Sequence, residues 1–244
     1  MLMVEMDNKI EINGSLYKSI QDYCNQNDIK KEDFNEPVKI IEDVKYCSYM
    51  FWNCYSFNQP VIIPEGVTDC ENMFYNCISL NQPIILPKNI KNINGMFLNC
   101  LDFNQPITIP HSATDCCSMF ENCRSFNQPI DIPNGVIDCQ GMFKGCTAFT
   151  HPLTIPSSVL NGKGIIEYIF HDIPITVNLN KLYFFYKEIT IENKLFGKLT
   201  ISTNILYKCD ELKRKISFHL SQRSLSICVS EEEFAEISLL ALLN

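Results

Sequence analysis

Five consecutive segments of 23 residues align without a gap, at 47–69, 70–92, 93–115, 116–138 and 139–161. A fixed short period confines a chain to architectures in which each copy stacks on its neighbours, because one copy cannot bury its apolar face alone. Upstream, Phe34-Asn35-Glu36-Pro37-Val38 stands one period before Phe57-Asn58-Gln59-Pro60-Val61, so a worn half-repeat over 34–46 precedes the five.

The columns have physical readings. Met50, Met73, Met96, Met119 and Met142, each followed by Phe, supply large apolar side chains that stack copy over copy. Cys54, Cys77, Cys100, Cys123 and Cys146 form an inward column, and Phe57, Leu80, Phe103, Phe126 and Phe149 another. The triplets Val61–Ile63, Ile84–Leu86, Ile107–Ile109, Ile130–Ile132 and Leu153–Ile155 keep their outer positions apolar and vary the middle one. That alternation predicts short half-buried strands, about 4.8 Å apart, each ended by the proline that follows. The Asn-Gln pairs at 58–59, 81–82, 104–105 and 127–128 read as side chains that satisfy a turn's open backbone groups; a carbohydrate-contacting ladder is the alternative.

A second cysteine column is Cys47, Cys70, Cys116 and Cys139, with Ile93 in the third copy. Isoleucine replaces cysteine in a buried apolar slot but not in a metal site, and the C-x6-C spacing is not a zinc knuckle. Buried free thiols are therefore expected. Cys24, Cys117, Cys209 and Cys228 are read as outside both columns.

The MFxxC run, the Ile132-Pro133-Asn134-Gly135-Val136 run and the period resemble the BspA-like, or Treponema pallidum type, leucine-rich repeats. The Phe-Asn-Gln-Pro element is similar to the MF…FNQP repeats of bacterial surface lipoproteins. The resemblance covers 47–161 and, more faintly, 34–46. It implies a β-rich α/β repeat solenoid of leucine-rich-repeat kind with a parallel sheet on one face, and a role in adhesion or interaction without catalytic residues. The chain departs from the surface members in showing no signal peptide, lipobox or wall anchor.

The flanks read as caps at both ends. Residues 1–33 suggest a strand at 9–13, a turn at Asn13-Gly14 and a helix capped by Ser15 with Leu16, Ile20, Tyr23 and Cys24 on its buried face. Residues 162–244 leave the period and alternate like strands, as a β-rich cap or degenerate repeats, before a final helix opened by Ser230.

The net charge of −8, with eight acidic against four basic residues in 47–161, argues against nucleic acid or an anionic membrane as partner. The start Met-Leu-Met-Val-Glu-Met-Asp has no basic n-region or apolar stretch, so a cytoplasmic or intracellular site with reduced thiols is expected. His111, His151, His171 and His219 are scattered, His111 and His151 at surface positions, and no catalytic or phosphate-binding motif occurs. No enzyme activity, cofactor or metal is expected.

Recognition is left to the variable positions. Trp52, Tyr75 and Leu98 follow successive Met-Phe pairs, Tyr55, Ile78 and Leu101 follow successive cysteines, and Ile62 and Ile85 are mid-triplet. All three rows turn polar by the fourth copy. Apolar area of this kind marks a contact surface for a protein partner, unless the chain itself covers it. A structural or accessory component of a larger assembly, such as a virus particle, is the second expectation.

Overall fold

The computed structural model describes residues 10–156, 158–169 and 173, together with the backbone of five strands beyond them. Successive 23-residue turns of chain lie one upon another. Parallel bridges join Tyr46 to Asp69, Asp69 to Asn92, Asn92 to Asp115, Asp115 to Asp138 and Asp138 to Asn161.

Backbone donors of the Met-Phe segment are shared between two tasks in each turn, while others, such as those of Thr68 and Ser79, donate back to Lys45 and Tyr55 of the turn before. The N–H groups of Cys47, Tyr49, Phe51 and Asn53 donate to the carbonyls of Asp69, Glu71, Met73 and Tyr75 in the next turn. Those of Met50, Trp52 and Cys54 close local bends onto Cys47, Tyr49 and Phe51. Later copies repeat the scheme, which pairs the backbone of this segment without helix or regular sheet. It needs left-handed backbone at two places in each turn. One holds Tyr49, Asn72, Gly95, Ser118, Gly141 and Gly164; the other holds Asn53, Asn76, Asn99, Asn122, Gly145 and Tyr168. Asn and Gly tolerate this region best, which explains their recurrence there.

The core is a stack of rings. Phe74, Phe97, Phe120 and Phe143 follow one another at 5.6–5.7 Å, and Phe103, Phe126 and Phe149 at 6.2 Å, all fully buried. Met73, Met96, Met119 and Met142 are buried as expected, whereas Met50 in the first turn is only partly covered.

The triplets differ from the strands expected of them. Their outer residues are buried and their middle ones exposed, but only Lys39–Ile40 and Leu153–Thr154 are in strand. Prolines bracket each triplet and remove donors at both ends. The wider ring spacing on the Phe103 column shows the turns fanning apart toward this side. Asparagine side chains span the gap: the N–H groups of Asn58, Asn81, Asn104 and Asn127 donate to Oδ1 of Asn35, Asn58, Asn81 and Asn104 at 2.8–3.0 Å. The following glutamines donate to the same or a neighbouring oxygen. These amides thus serve the structural role read from sequence.

At the N-terminal end, strands β1 (Ile10–Ile12) and β2 (Ser15–Tyr17) form a hairpin, and β1 also pairs antiparallel with β3 (Lys39–Ile40). Asn13 and Gly14 have φ of 51° and 77°, the left-handed pair a tight hairpin requires. That turn sends 15–17 back along 10–12, so the helix starts later than the sequence suggests. Helix α1 (Ile20–Asn27) is capped by Ser19, not Ser15, and Leu16 is exposed. Cys24, one period before Cys47 and so in line with that column, is buried on α1 where the helix replaces a turn.

The stack continues past 161. Gly141, Phe143 and Gly145 donate to Lys163, Ile165 and Glu167, so Gly162–Ile169 repeats the turn with Ile165-Ile166 in place of Met-Phe. Strand β4 (Leu153–Thr154) then pairs in parallel with β5 (Ile175–Asn178), Leu153 facing Ile175 only 22 residues on. With β6 (Glu188–Asn193), β7 (Gly197–Ser202), β8 (Lys215–Ser221) and β9 (Ser224–Cys228) these make a sheet of order β4-β5-β8-β9-β6-β7. The expected helix after Ser230 lies outside the described residues, as do residues 1–9.

Candidate partner-binding surface

In the first turn the local bends bring every third residue outward. Tyr46, Tyr49, Trp52 and Tyr55 are 52%, 49%, 43% and 37% exposed, an aromatic row along one turn. Trp52 and Tyr55 were legible as candidates; Tyr46 and Tyr49 were missed, although aromatics at 46, 49, 52 and 55 are visible once the spacing of three is noticed. The Trp52 ring lies 6.5 Å from that of Tyr75 in the next turn. Lys31 places its ammonium 5.6 Å from the Trp52 centroid, so the chain covers that ring in part and leaves the rest open. The Tyr49 hydroxyl donates to Glu71 at 2.9 Å, which fixes its ring despite the left-handed backbone beneath.

Tyr75, Ile78, Leu98 and Leu101 are half-buried. Ile62 and Ile85 are the most exposed large apolar residues among those described, at 85% and 82%. The three rows do not merge. Between Tyr55 and Ile62 run Ser56, the Asn58–Gln59 pair and Pro60, a polar band that separates an aromatic patch from an isoleucine patch.

A cavity of about 180 Å³ beside the aromatic row is lined by Ile10, Lys18, Ser19, Ile20, Gln21, Lys31, Ser48, Tyr49 and Met50. Ligand pockets run to roughly 300–1,000 Å³, so this one is small by that measure. His151 takes the glutamine's place in the amide ladder, its Nε2 3.1 Å from the Asn127 carbonyl, and is not the free surface residue expected; His111 is exposed.

Most of the described cysteines are packed inside the stack. The eleven described are free, and all but Cys117 are buried. The thiols of Cys77, Cys100, Cys123 and Cys146 donate to the carbonyls of Phe51, Phe74, Phe97 and Phe120 at 2.9–3.1 Å. Burial pushes the Cys54 and Cys139 thiols up to about 12 and raises Cys77, Cys100 and Cys123 as well, so they stay protonated. Among the described residues no cluster of His, Cys, Asp or Glu is arranged to hold a metal, and no helix is long and apolar enough to cross a membrane.

The bridge column carries an electrostatic cost. Asn92 and Asn161 donate to Asp69 and Asp138 of the turn before at 3.0 Å. Asp115 instead faces Asp138, and its carboxyl is raised by burial first and by Asp138 as well, against the N–H of Cys117 that it accepts. A carboxyl raised on folding adds stability only while protonated: the contribution is present below the ordinary aspartate range and is lost as pH climbs through the folded value. Asp115→Asn is therefore expected to melt increasingly above the wild type as pH rises through that value, and to lose the advantage at lower pH. A difference in Tm that ignores pH would show the carboxyl to be unaffected by its site.

Searches of curated proteins and of solved structures found no match. Residues 25–85 and 63–155 match a family described as "Mycoplasma protein of unknown function, DUF285". Together the two matches span the half-repeat and nearly all of the five copies, more than half of the chain. The chain is a member of that family.

Proposed function

We propose that this protein is a non-enzymatic protein-binding module, a BspA-like leucine-rich-repeat solenoid whose first two turns grip a protein partner in a reducing compartment. The aromatic row Tyr46, Tyr49, Trp52 and Tyr55 carries this reading: aromatic side chains held on a rigid stack and left half open to water are the residue types on which binding energy concentrates. The buried, protonated thiols support the choice of compartment.

The full chain and a Trp52→Ser/Tyr75→Ser variant, each immobilised, are to be compared for retention of proteins from a lysate, with Tm measured in parallel. The expected result is a protein held by the wild type and retained about tenfold less by the variant, at nearly unchanged Tm. Equal retention, or a loss explained by a collapsed Tm, would overturn the reading.

A further inference from the structure

The isoleucine patch belongs to a longer stripe. Cross-strand register sets Leu16 beside Glu11 and Glu11 beside Lys39. The 23-residue period then carries the same outward position from Lys39 through Ile62, Ile85, Thr108 and Asp131 to Thr154. All of the positions from Lys39 to Thr154 are exposed. The stripe thus has two bare isoleucines near its middle, a lysine on one side and an aspartate on the other.

We propose that this stripe is the contact surface between two copies of the chain, related by a two-fold axis that crosses it at right angles at Ile85. Such an axis reverses the stripe on its partner. Ile85 then meets Ile85, Ile62 meets Thr108, and Lys39 meets Asp131 twice, once on each side. An interface with an aliphatic centre and charged edges is the usual anatomy, and a two-fold contact is the simplest closed assembly. Neighbouring registers are worse. Moving the axis midway between Ile62 and Ile85 pairs the isoleucines but sets Glu11 against Asp131, and moving it to Ile62 leaves Asp131 facing Leu16. The charges select one register. Lys39 already binds Glu11 at 3.0 Å, but its side chain is 72% exposed and can serve both carboxylates. This inference rests on a different patch from the protein-binding reading above and does not depend on it.

Sedimentation velocity over a range of concentrations tests it with the full chain. The wild type is expected to dimerise. Asp131→Lys alone sets lysine against lysine, and the double variant Glu11→Lys/Lys39→Glu, which keeps the internal ion pair reversed, sets glutamate against aspartate. Each is expected to dissociate at least about tenfold more readily. Mixed together, the two variants present opposite charges at both edges and are expected to dimerise again as a heterodimer. A wild type that stays monomeric, variants that dimerise like it, or natively melting variants that fail to recombine on mixing would each overturn the proposal.

Discussion

Replacing Phe120 with alanine is expected to destabilise the protein by about 3–5 kcal/mol, the usual cost of removing a buried ring with its packing. Phe120 lies 5.6 and 5.7 Å from Phe97 and Phe143 in the adjoining turns, and 4.3 Å from Phe126 in its own. Nothing else can fill the space, because the neighbouring rings are themselves held in register by the hydrogen bonds between turns. Each turn touches only those beside it, so a gap there also weakens the coupling between the two halves of the stack. Urea unfolding followed by circular dichroism reads the loss. A change below about 1 kcal/mol, typical of a surface site, would mean that the ring does not sit in a continuous column.

The second large effect concerns Asn99, which contributes no apolar surface. Its backbone is left-handed, with φ of 61°. Its amide donates to Asn76 at 2.7 Å and accepts from Asn122 at 2.9 Å. Asn99→Ala keeps the awkward backbone, at about 1–2 kcal/mol for a residue with a Cβ, and leaves two partners unsatisfied at roughly 1–3 kcal/mol each when buried. They are only partly buried, so a net loss of about 2–4 kcal/mol is expected. Asn99→Gly loses the same hydrogen bonds but relieves the backbone, as Gly145 does in the same column. Glycine should therefore be the milder change. Equal unfolding midpoints for the two variants would show that the backbone conformation carries no weight at this position.

These two residues mark what could and could not be read in advance. Phe120 was legible, since a buried position must stay apolar in every copy and its period then stands out. Asn99 was not, although asparagine recurs at 53, 76, 99 and 122. Attention to apolar columns passes over a polar residue whose constancy comes from a backbone angle. The triplets misled for a related reason. Alternating burial follows from any extended chain lying on a core, and says nothing about whether its amides reach a neighbour. The turn at 162–169 left a degenerate repeat and a β-rich cap both open, because its residues changed identity but not character, Ile165-Ile166 for Met-Phe and Ile169 for cysteine. Likewise Ser15 and Ser19 are both plausible caps, and the hairpin at Asn13-Gly14 decides between them.

The candidate surface was legible in part. Trp52, Tyr55, Ile62 and Ile85 are open to water, as residues freed from stacking should be. Their division by the Asn58–Gln59 band was not, because distance around a turn is set by how the chain bends, and spacing along the sequence does not record it.

The way donors are passed along has a consequence for heredity. Each coil donates forward from one set of positions and back from another, and the sets recur in every copy, so neighbouring coils meet through a joint of the same design. A chain of this kind can lose or gain one whole 23-residue unit, and the product still closes every joint. Loss of a single codon instead puts the wrong residues at the left-handed sites of that unit. Length in whole units is thus the property this architecture leaves most open to evolutionary adjustment.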